Sequence, residues 1–250
     1  MSTPALMAFV VAAVVAGLGA PILVTALRKR LRVPMTVFFV AAGFYLLNLL
    51  IQQPIFLGVR AFHLNGVVVT GLIAPAIYAV CEESMRYLSF RAGRKMRDNR
   101  TPNGAVVAGL GHGGAEALLF TLGMVASVAT AVLAPQMFAA NGGDPNAIVH
   151  GGPGYYLQFA LSRVLAVIAH TGFATMIMLS YRQVRWLPAA ITAHFAVDAS
   201  VFSLQGVLPA SSPVPDLVFA GWAALAIVLL VVVRRRPVAV ELGEIARIGS

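Results

Sequence analysis

Seven apolar runs, each long enough to cross a lipid bilayer as a helix, dominate this chain of 250 residues. About 20 apolar residues span the hydrocarbon core of a membrane. Runs of that length cover residues 5–27, 35–57, 64–90, 103–134, 155–181, 186–208 and 216–233. The composition agrees, because only 11% of the residues are charged, against roughly 25% in soluble domains. We therefore predict an all-α, polytopic transmembrane helix bundle.

The chain is predicted to form a single transmembrane domain over residues 1–250, with a motif-bearing core at approximately 64–208. Its longest polar connection, from Pro135 to Gly154, is expected to be an exposed loop. The first apolar run is too long for the core of a signal peptide, and its basic residues follow it, so we expect a retained span. The single cysteine, Cys81, excludes an internal disulfide.

Basic residues concentrate in alternate connections between the runs. They follow the first, third, fifth and seventh runs, as Arg28, Lys29, Arg30 and Arg32, then Arg91, Arg94, Lys95, Arg97 and Arg100, then Arg182 and Arg185, and finally Arg234, Arg235 and Arg236. The opposite connections carry Arg60 alone. The positive-inside rule predicts an outside N-terminus and a cytoplasmic C-terminus. We expect a multi-pass protein of the cell membrane, in a bacterium the inner or plasma membrane.

The runs contain an unusual number of ionisable residues, each of which costs roughly 2.5 to 3.5 kcal/mol near the bilayer centre. The third to sixth runs carry them, as Glu82, Glu83, Arg86, His112, Glu116, Arg163, His170, His194 and Asp198. Three pairs are separated by four residues and so share a helix face: Glu82 with Arg86, His112 with Glu116, and His194 with Asp198. Arg163 lies nearer the outer end, where we expect a packing or anchoring role.

Helical rise places these residues at one depth. At about 1.5 Å per residue, Glu82, His112 and His194 lie roughly 12 to 14 Å from the basic ends, and the deeper carboxylates and His170 lie roughly 16 to 20 Å. Groups at equal depth can neutralise one another, which predicts one buried polar site. By this depth we expect the site to open toward the cytoplasmic half.

The adjacent glutamates of the third run are suited to proton transfer. Adjacent buried carboxylates cannot both carry charge cheaply, and Arg86 can compensate only one of them. The other is suited to act as a general base. The glycines around His112, in Gly109-Leu-Gly-His-Gly-Gly-Ala-Glu116, permit a close approach either by a substrate peptide or by a packed helix. Pro75 and Gly71 either open the third span toward the site or only kink it.

Three segments resemble the YhfC family of intramembrane metalloproteases: Glu82-Glu-Ser-Met-Arg86, Gly111-His-Gly-Gly-Ala-Glu116 and His194-Phe-Ala-Val-Asp198. His170 fits a fourth motif of that family. The family is similar to a branch of the superfamily that contains CAAX prenyl endopeptidases and the PrsW proteases. The spacing E-E-x-x-K, F-x-x-x-E and H-x-x-x-D of the PrsW-like pattern matches best, with Arg86 in the lysine position and Glu116 in the second motif.

The resemblance implies an intramembrane peptidase that acts on a membrane-embedded protein or peptide. Glu82 or Glu83 would activate water, while Glu116 and Asp198 would orient imidazoles. The histidines would stabilise an oxyanion or hold a metal, and a zinc site would draw on His112, Glu116, His170 and His194. A metal-free glutamate mechanism stays open.

Two other functions also stay open. Buried histidine and carboxylate chains serve proton relays in ion-coupled transporters, and a catalytically inert scaffold subunit could keep the same motifs. We expect the partners to be the lipid bilayer and a membrane-embedded substrate. We expect no nucleic-acid partner, because the sequence has no soluble domain with a basic face. The sequence does not predict an oligomeric state.

Overall fold

The computed structural model describes residues 1–209 and 212–235 of the chain. This part contains seven long helices and no strand: α1 (Thr3–Leu31), α2 (Met35–Ala61), α3 (Gly66–Ser89), α4 (Pro102–Leu133), α5 (Pro153–Ser180), α6 (Trp186–Val207) and α7 (Val214–Arg235). All seven are long and apolar enough to cross a membrane, which confirms the predicted bundle. Arg236 of the last basic cluster lies outside the described residues.

Local sequence signals account for where the helices begin. Thr101 precedes α4, and its hydroxyl accepts a hydrogen bond from the Gly104 N–H at 3.1 Å, which satisfies a backbone donor that has no partner within the helix. Pro102 follows as the first helical residue, where its missing N–H costs nothing. Ser2 caps α1 in the same way through the Ala5 N–H.

The helix α3 changes its winding before it reaches the polar residues. Residues Val69–Ile73 form a π-helical turn, and a regular α-helix continues over Ala74–Ser89. Pro75 lies at the start of this regular part, where it has no N–H to give to the ladder. The departure from regular geometry therefore ends before Glu82, and a regular helix carries the three ionisable residues of α3.

The centre of the bundle is α4, which packs against α1, α2 and α5, while α6 packs against α3, α5 and α7. The inner face of α1 is a row of small residues that lets neighbouring helices come close: Ala5, Ala8, Ala12, Ala16 and Ala20. This arrangement places the polar residues of α3 to α6 inside the bundle.

The basic ends of the helices meet at one end of the bundle. Asn103, at the start of α4, donates to the Leu31 carbonyl at the end of α1 at 3.1 Å. It also accepts a hydrogen bond from Arg234 at the end of α7 at 2.9 Å. We call this the basic end. Its side of the membrane stays a prediction.

The connection at the other end is more ordered than expected. Residues 135–154, predicted to be an exposed loop, contain two short helices, Pro135–Ala140 and Pro145–Val149. Each begins with a proline, which suits the first position of a helix. The Tyr156 hydroxyl of α5 donates to the Ile148 carbonyl at 2.9 Å, and this contact fixes the second short helix against the bundle.

Candidate active site

Four helices bring nine ionisable side chains into one connected network inside the bundle. All eight predicted site residues belong to it, and so does Arg163. Six of the nine are between 0% and 5% exposed: Glu82, Glu83, Arg86, His112, His170 and His194. The equal depths predicted from helical rise therefore correspond to direct contacts.

Glu82 is the carboxylate that lies between two imidazoles. Its Oε2 is 3.1 Å from Nε2 of His112 on α4 and 3.9 Å from Nε2 of His194 on α6. The ring of Tyr45, on α2, packs edge-on against His112 with centroids 4.9 Å apart. Three neighbouring helices thus hold the Glu82–His112 pair in place.

Glu83 has a different environment. Its Oε1 lies 3.2 Å from Nη1 of Arg86 and 2.7 Å from Nδ1 of His194. Although Glu82 and Glu83 both lie within one turn of Arg86 on α3, the guanidinium pairs with Glu83. Since a carboxylate paired with a guanidinium can only accept hydrogen bonds, we assign the proton of the His194 contact to Nδ1.

A chain of contacts runs from Arg86 to Arg163 through α5 and α4. Nη2 of Arg86 donates to Nδ1 of His170 at 2.8 Å, because a guanidinium has no acceptor. His170 must therefore carry its proton on Nε2, which donates to Oε2 of Glu116 at 2.5 Å. The other oxygen of Glu116 accepts from Arg163 at 3.2 Å. Both ring nitrogens of His170 thus have protein partners.

The second half of the His194 environment is formed by Asp198 and Phe173. Nε2 of His194 lies 3.5 Å from Oδ2 of Asp198, one turn along α6. The ring of Phe173 stacks on the imidazole, with centroids 4.6 Å apart and planes 14° apart. Phe173 therefore holds the ring on one face and Glu83 holds Nδ1, while the distance from Nε2 to Asp198 is longer than a normal hydrogen bond.

Glycines in α4 bring the neighbouring helices close to His112. A Cβ atom on Gly109 would lie 2.5 Å from Cα of Thr171 on α5, and one on Gly111 would lie 2.3 Å from the carbonyl oxygen of Phe38 on α2. Helix backbones occupy the space that both glycines leave. Of the two interpretations left open by the sequence, helix packing is therefore the one that the structure supports for these positions.

Three members of the network could hold a metal ion together. Glu82, His112 and His170 each offer one ligand atom, and these atoms lie within 4.8 Å of one another. Two imidazoles and a carboxylate are a ligand set of catalytic zinc, so the donor chemistry fits. The ligands predicted from the sequence agree with this group only in part, because Glu116 and His194 lie outside it and Glu82 was not among them. Glu116 instead accepts a hydrogen bond from Nε2 of His170, a contact of the kind that carboxylates make behind metal-bound imidazoles.

A cavity of about 1000 Å³ adjoins the network. Glu82, Glu116, His194 and Asp198 are in its wall, and so are residues of the far ends of the helices and of the 135–154 connection: Val128, Phe138, Ile148 and Tyr155. The basic half beyond the network is filled by a hydrophobic core that includes Val37, Phe90, Met96, Val107 and Ile177. The expectation that the site opens toward the basic half was therefore wrong.

Arg163 and α2 are the parts of the site that sequence reasoning missed. Arg163 was expected to anchor at the outer end, yet its side chain is 15% exposed, pairs with Glu116 and lies over the Phe120 ring at 4.3 Å. On α2, Tyr45 and Gln52 line the cavity, and Nε2 of the buried Gln52 has no partner in the described structure. Uncharged polar residues at helical spacing in an apolar span were the available signal.

One comparison with known proteins identifies a family for this chain. No curated protein and no solved structure matches the chain. The model of the YhfC intramembrane metalloprotease family matches residues 21–214, which is more than three-quarters of the chain. The match includes every member of the polar network and all residues that line the cavity except Phe219. The chain therefore belongs to the YhfC intramembrane metalloprotease family.

Proposed function

We propose that this protein is an intramembrane peptidase that hydrolyses a peptide bond of a membrane-associated protein or peptide. The observation that carries the proposal is the position of Glu82, a buried carboxylate between His112 and His194 in the wall of a large cavity. The cavity is otherwise lined mainly by apolar and aromatic side chains, which suits a hydrophobic segment. Family membership supports a peptidase of the metal-dependent kind.

The metal that we propose is zinc, held by Glu82, His112 and His170. When bound there, it would supply a Lewis acid that polarises the scissile carbonyl and acidifies the attacking water. Glu116 orients His170 through Nε2, and Arg163 holds Glu116 in turn. These outer contacts fix the direction of the ligand ring, which raises the affinity of such sites for metal.

His194 is the residue that we propose for proton transfer. Glu83 holds its Nδ1–H at 2.7 Å, which leaves Nε2 as the acceptor at the cavity wall. A carboxylate that holds one nitrogen of a histidine makes the other an effective base. In hydrolysis, water adds its oxygen to the carbonyl carbon and gives a proton to Nε2 of His194. The C–N bond breaks, and that proton passes to the leaving nitrogen.

A metal-free mechanism is the second candidate, and one observation favours it. Both ring nitrogens of His170 already have partners in Arg86 and Glu116, so binding of a metal requires one of these contacts to open. Without metal, Glu82 would take the proton of the attacking water, and His112 would position Glu82 through Nε2. Measured zinc content separates the two mechanisms.

One-sided access favours a peptidase over the alternative of an ion-coupled transporter. A transporter needs a path from both membrane faces, whereas the cavity extends only away from the basic end and a packed core fills the other half. The resemblance to CAAX-type and PrsW-like proteases supports the same proposal, and we extend it to a bacterial inner or plasma membrane location.

Proteolysis of candidate membrane substrates in liposomes tests the function. We expect the wild-type protein to cleave at least one such substrate, and Glu82→Gln to abolish cleavage while the variant still inserts and purifies as a monodisperse species. An Arg94→Gln variant, changed at an exposed residue outside the cavity, is the matched control and should cleave normally. Full activity of Glu82→Gln would exclude the proposed site. If the protein is instead an inactive scaffold subunit, the wild type would cleave none of the substrates.

A further inference from the structure

A second cavity lies at the basic end and shares no residue with the first. Its volume is about 460 Å³, and it is lined by Tyr87, Arg91, Arg97, Arg100 and Tyr181. We call it the arginine pocket. Its residues come from the end of α3, the connection from α3 to α4, and the end of α5. Residues far apart in the chain therefore converge on one small space.

Stacking and hydrogen bonds hold three side chains of the arginine pocket in place, those of Tyr87, Tyr181 and Arg100. The Tyr87 and Tyr181 rings stack with centroids 4.7 Å apart and planes 3° apart, and the Tyr181 hydroxyl donates to the Tyr87 carbonyl at 2.5 Å. The Arg100 guanidinium lies 3.6 Å from the centroid of the Tyr181 ring. Its Nε and Nη2 both donate to the Phe90 carbonyl, at 3.2 and 3.0 Å. One guanidinium is thus fixed in position before any ligand arrives.

In the described part of the chain, the arginines of the pocket have no carboxylate partner. Within the described ranges, no carboxylate lies within 4.0 Å of Arg91, Arg97 or Arg100, and the pocket wall contains none. The nearest acidic residue along the chain, Asp98, pairs with Arg94. Three guanidinium groups around one space repel one another, and an anion between them would relieve that repulsion.

The geometry of the donors indicates which anion. The planar fork of a guanidinium matches phosphate oxygens in pairs. In the described structure, the Arg91 guanidinium lies 5.9 Å from the centroid of the Tyr87 ring, and Arg97 donates from Nη1 to the Arg91 carbonyl at 3.3 Å. Among the described residues, their other N–H groups have no hydrogen-bond partner and can face a ligand. Basic pockets at the ends of transmembrane helices bind phosphorylated head groups, and tyrosines are frequent at this level of the membrane.

We propose that the arginine pocket binds a phosphate group, carried either by an anionic lipid head group or by a free phosphate ester. The pocket is separate from the candidate active site, so this binding does not depend on the proposed peptidase function. Binding would join the end of α3, the start of α4 and the end of α5 through one ligand. Arg91 and Arg97 supply the free donors, and Arg100 supplies a prepositioned charge.

The test compares two double variants of the full-length protein in a neutral detergent. Arg91→Gln/Arg97→Gln removes two charges from the pocket, whereas Arg94→Gln/Lys95→Gln removes two charges from the same segment but outside the pocket. Native mass spectrometry and the ligand-induced rise in melting temperature report binding of dioctanoyl phosphatidylglycerol in one arm and of inorganic phosphate in the other. Gel filtration checks that each variant is folded. If the double variant is not folded, the single variant Arg91→Gln replaces it in the comparison.

We expect the pocket variant to bind dioctanoyl phosphatidylglycerol at least about tenfold more weakly than the wild type, because charged hydrogen bonds are lost. The control variant should keep wild-type affinity apart from a small non-specific loss. Binding of the lipid alone identifies a lipid source, and binding of inorganic phosphate as well identifies a free phosphate. An equal loss in both variants, or no binding by the wild type, would overturn the proposal.

Discussion

At the scale of single residues, Arg86 decides how the charges of the network are balanced. It is fully buried, pairs with Glu83 at 3.2 Å and donates to His170 at 2.8 Å. The low dielectric strengthens these contacts, but it also makes a lone charge expensive. A single guanidinium therefore links Glu83 of α3 to His170 of α5, and its loss would leave Glu83 uncompensated.

We expect Arg86→Ala to lower the melting temperature strongly, because removing one partner of a buried ion pair costs about 3 to 5 kcal/mol. Thermal unfolding in detergent measures the change. Arg94→Ala is the control, since Arg94 pairs with Asp98 on an exposed surface where such pairs contribute about 1 kcal/mol or less. Equal melting temperatures for Arg86→Ala and the wild type would mean that Arg86 is not buried as described.

At the scale of helices, the approach of α5 to α4 depends on the absence of side chains along one face of α4. Gly109 contacts the backbone of Thr171, and Gly113 contacts the ring of His170. These contacts set the distance between His112 and His170, whose ring centroids lie 5.1 Å apart. The close contact between the backbones of α4 and α5 therefore brings His112 and His170 near enough to share a metal ion.

We expect Gly109→Ala to be destabilising by about 1 to 3 kcal/mol, because a methyl group would overlap Thr171 and force the helices apart. Gly123→Ala, on the same helix, is the matched control. A Cβ there meets nothing within 4 Å, and alanine favours a helix over glycine by about 1 kcal/mol. Melting temperatures check both, and a neutral Gly109→Ala would contradict the close packing.

The cavity can be tested at the same scale. Gly123 lies in its wall with open space around it, so Gly123→Trp should fill part of the cavity and reduce peptidase activity at least about tenfold without lowering the melting temperature. Gly43→Trp places the same side chain on an exposed position of α2 outside the cavity and should leave activity unchanged. Equal activity in both variants would mean that substrate does not enter this cavity.

Much of this architecture follows from the sequence, and the physical reason for the rest is clear. Length and hydropathy predict the seven helices, and helical rise predicts that Glu82, His112 and His194 share a depth. Neither reveals which helices are neighbours. The pairing of Arg163 with Glu116, the approach of Tyr45 to His112 and the direction of the cavity all depend on tertiary packing, which one sequence does not encode in its periodicity.

At the scale of the whole molecule, the charge asymmetry predicts how the bundle lies across the membrane. The contacts of Asn103 with Leu31 and Arg234 bring the basic helix ends together, so one end of the molecule carries nearly all the charge outside the network. We expect reporters fused after Arg100, after Arg185 and at the C-terminus to read cytoplasmic, and reporters within residues 135–154 to read external. A cytoplasmic reading for residues 135–154 would contradict this orientation.

The central claim is that the Glu82, His112 and His170 group is the metal centre of a peptidase. Elemental analysis of the purified protein tests it most directly. We predict near-stoichiometric zinc in the wild type, loss of zinc in monodisperse His112→Ala, and retention of zinc in His194→Ala, because His194 lies outside the group. Chelation should abolish cleavage, and added zinc should restore it. An active, chelator-treated enzyme that contains no transition metal would contradict the metal centre and leave the Glu82 mechanism in its place.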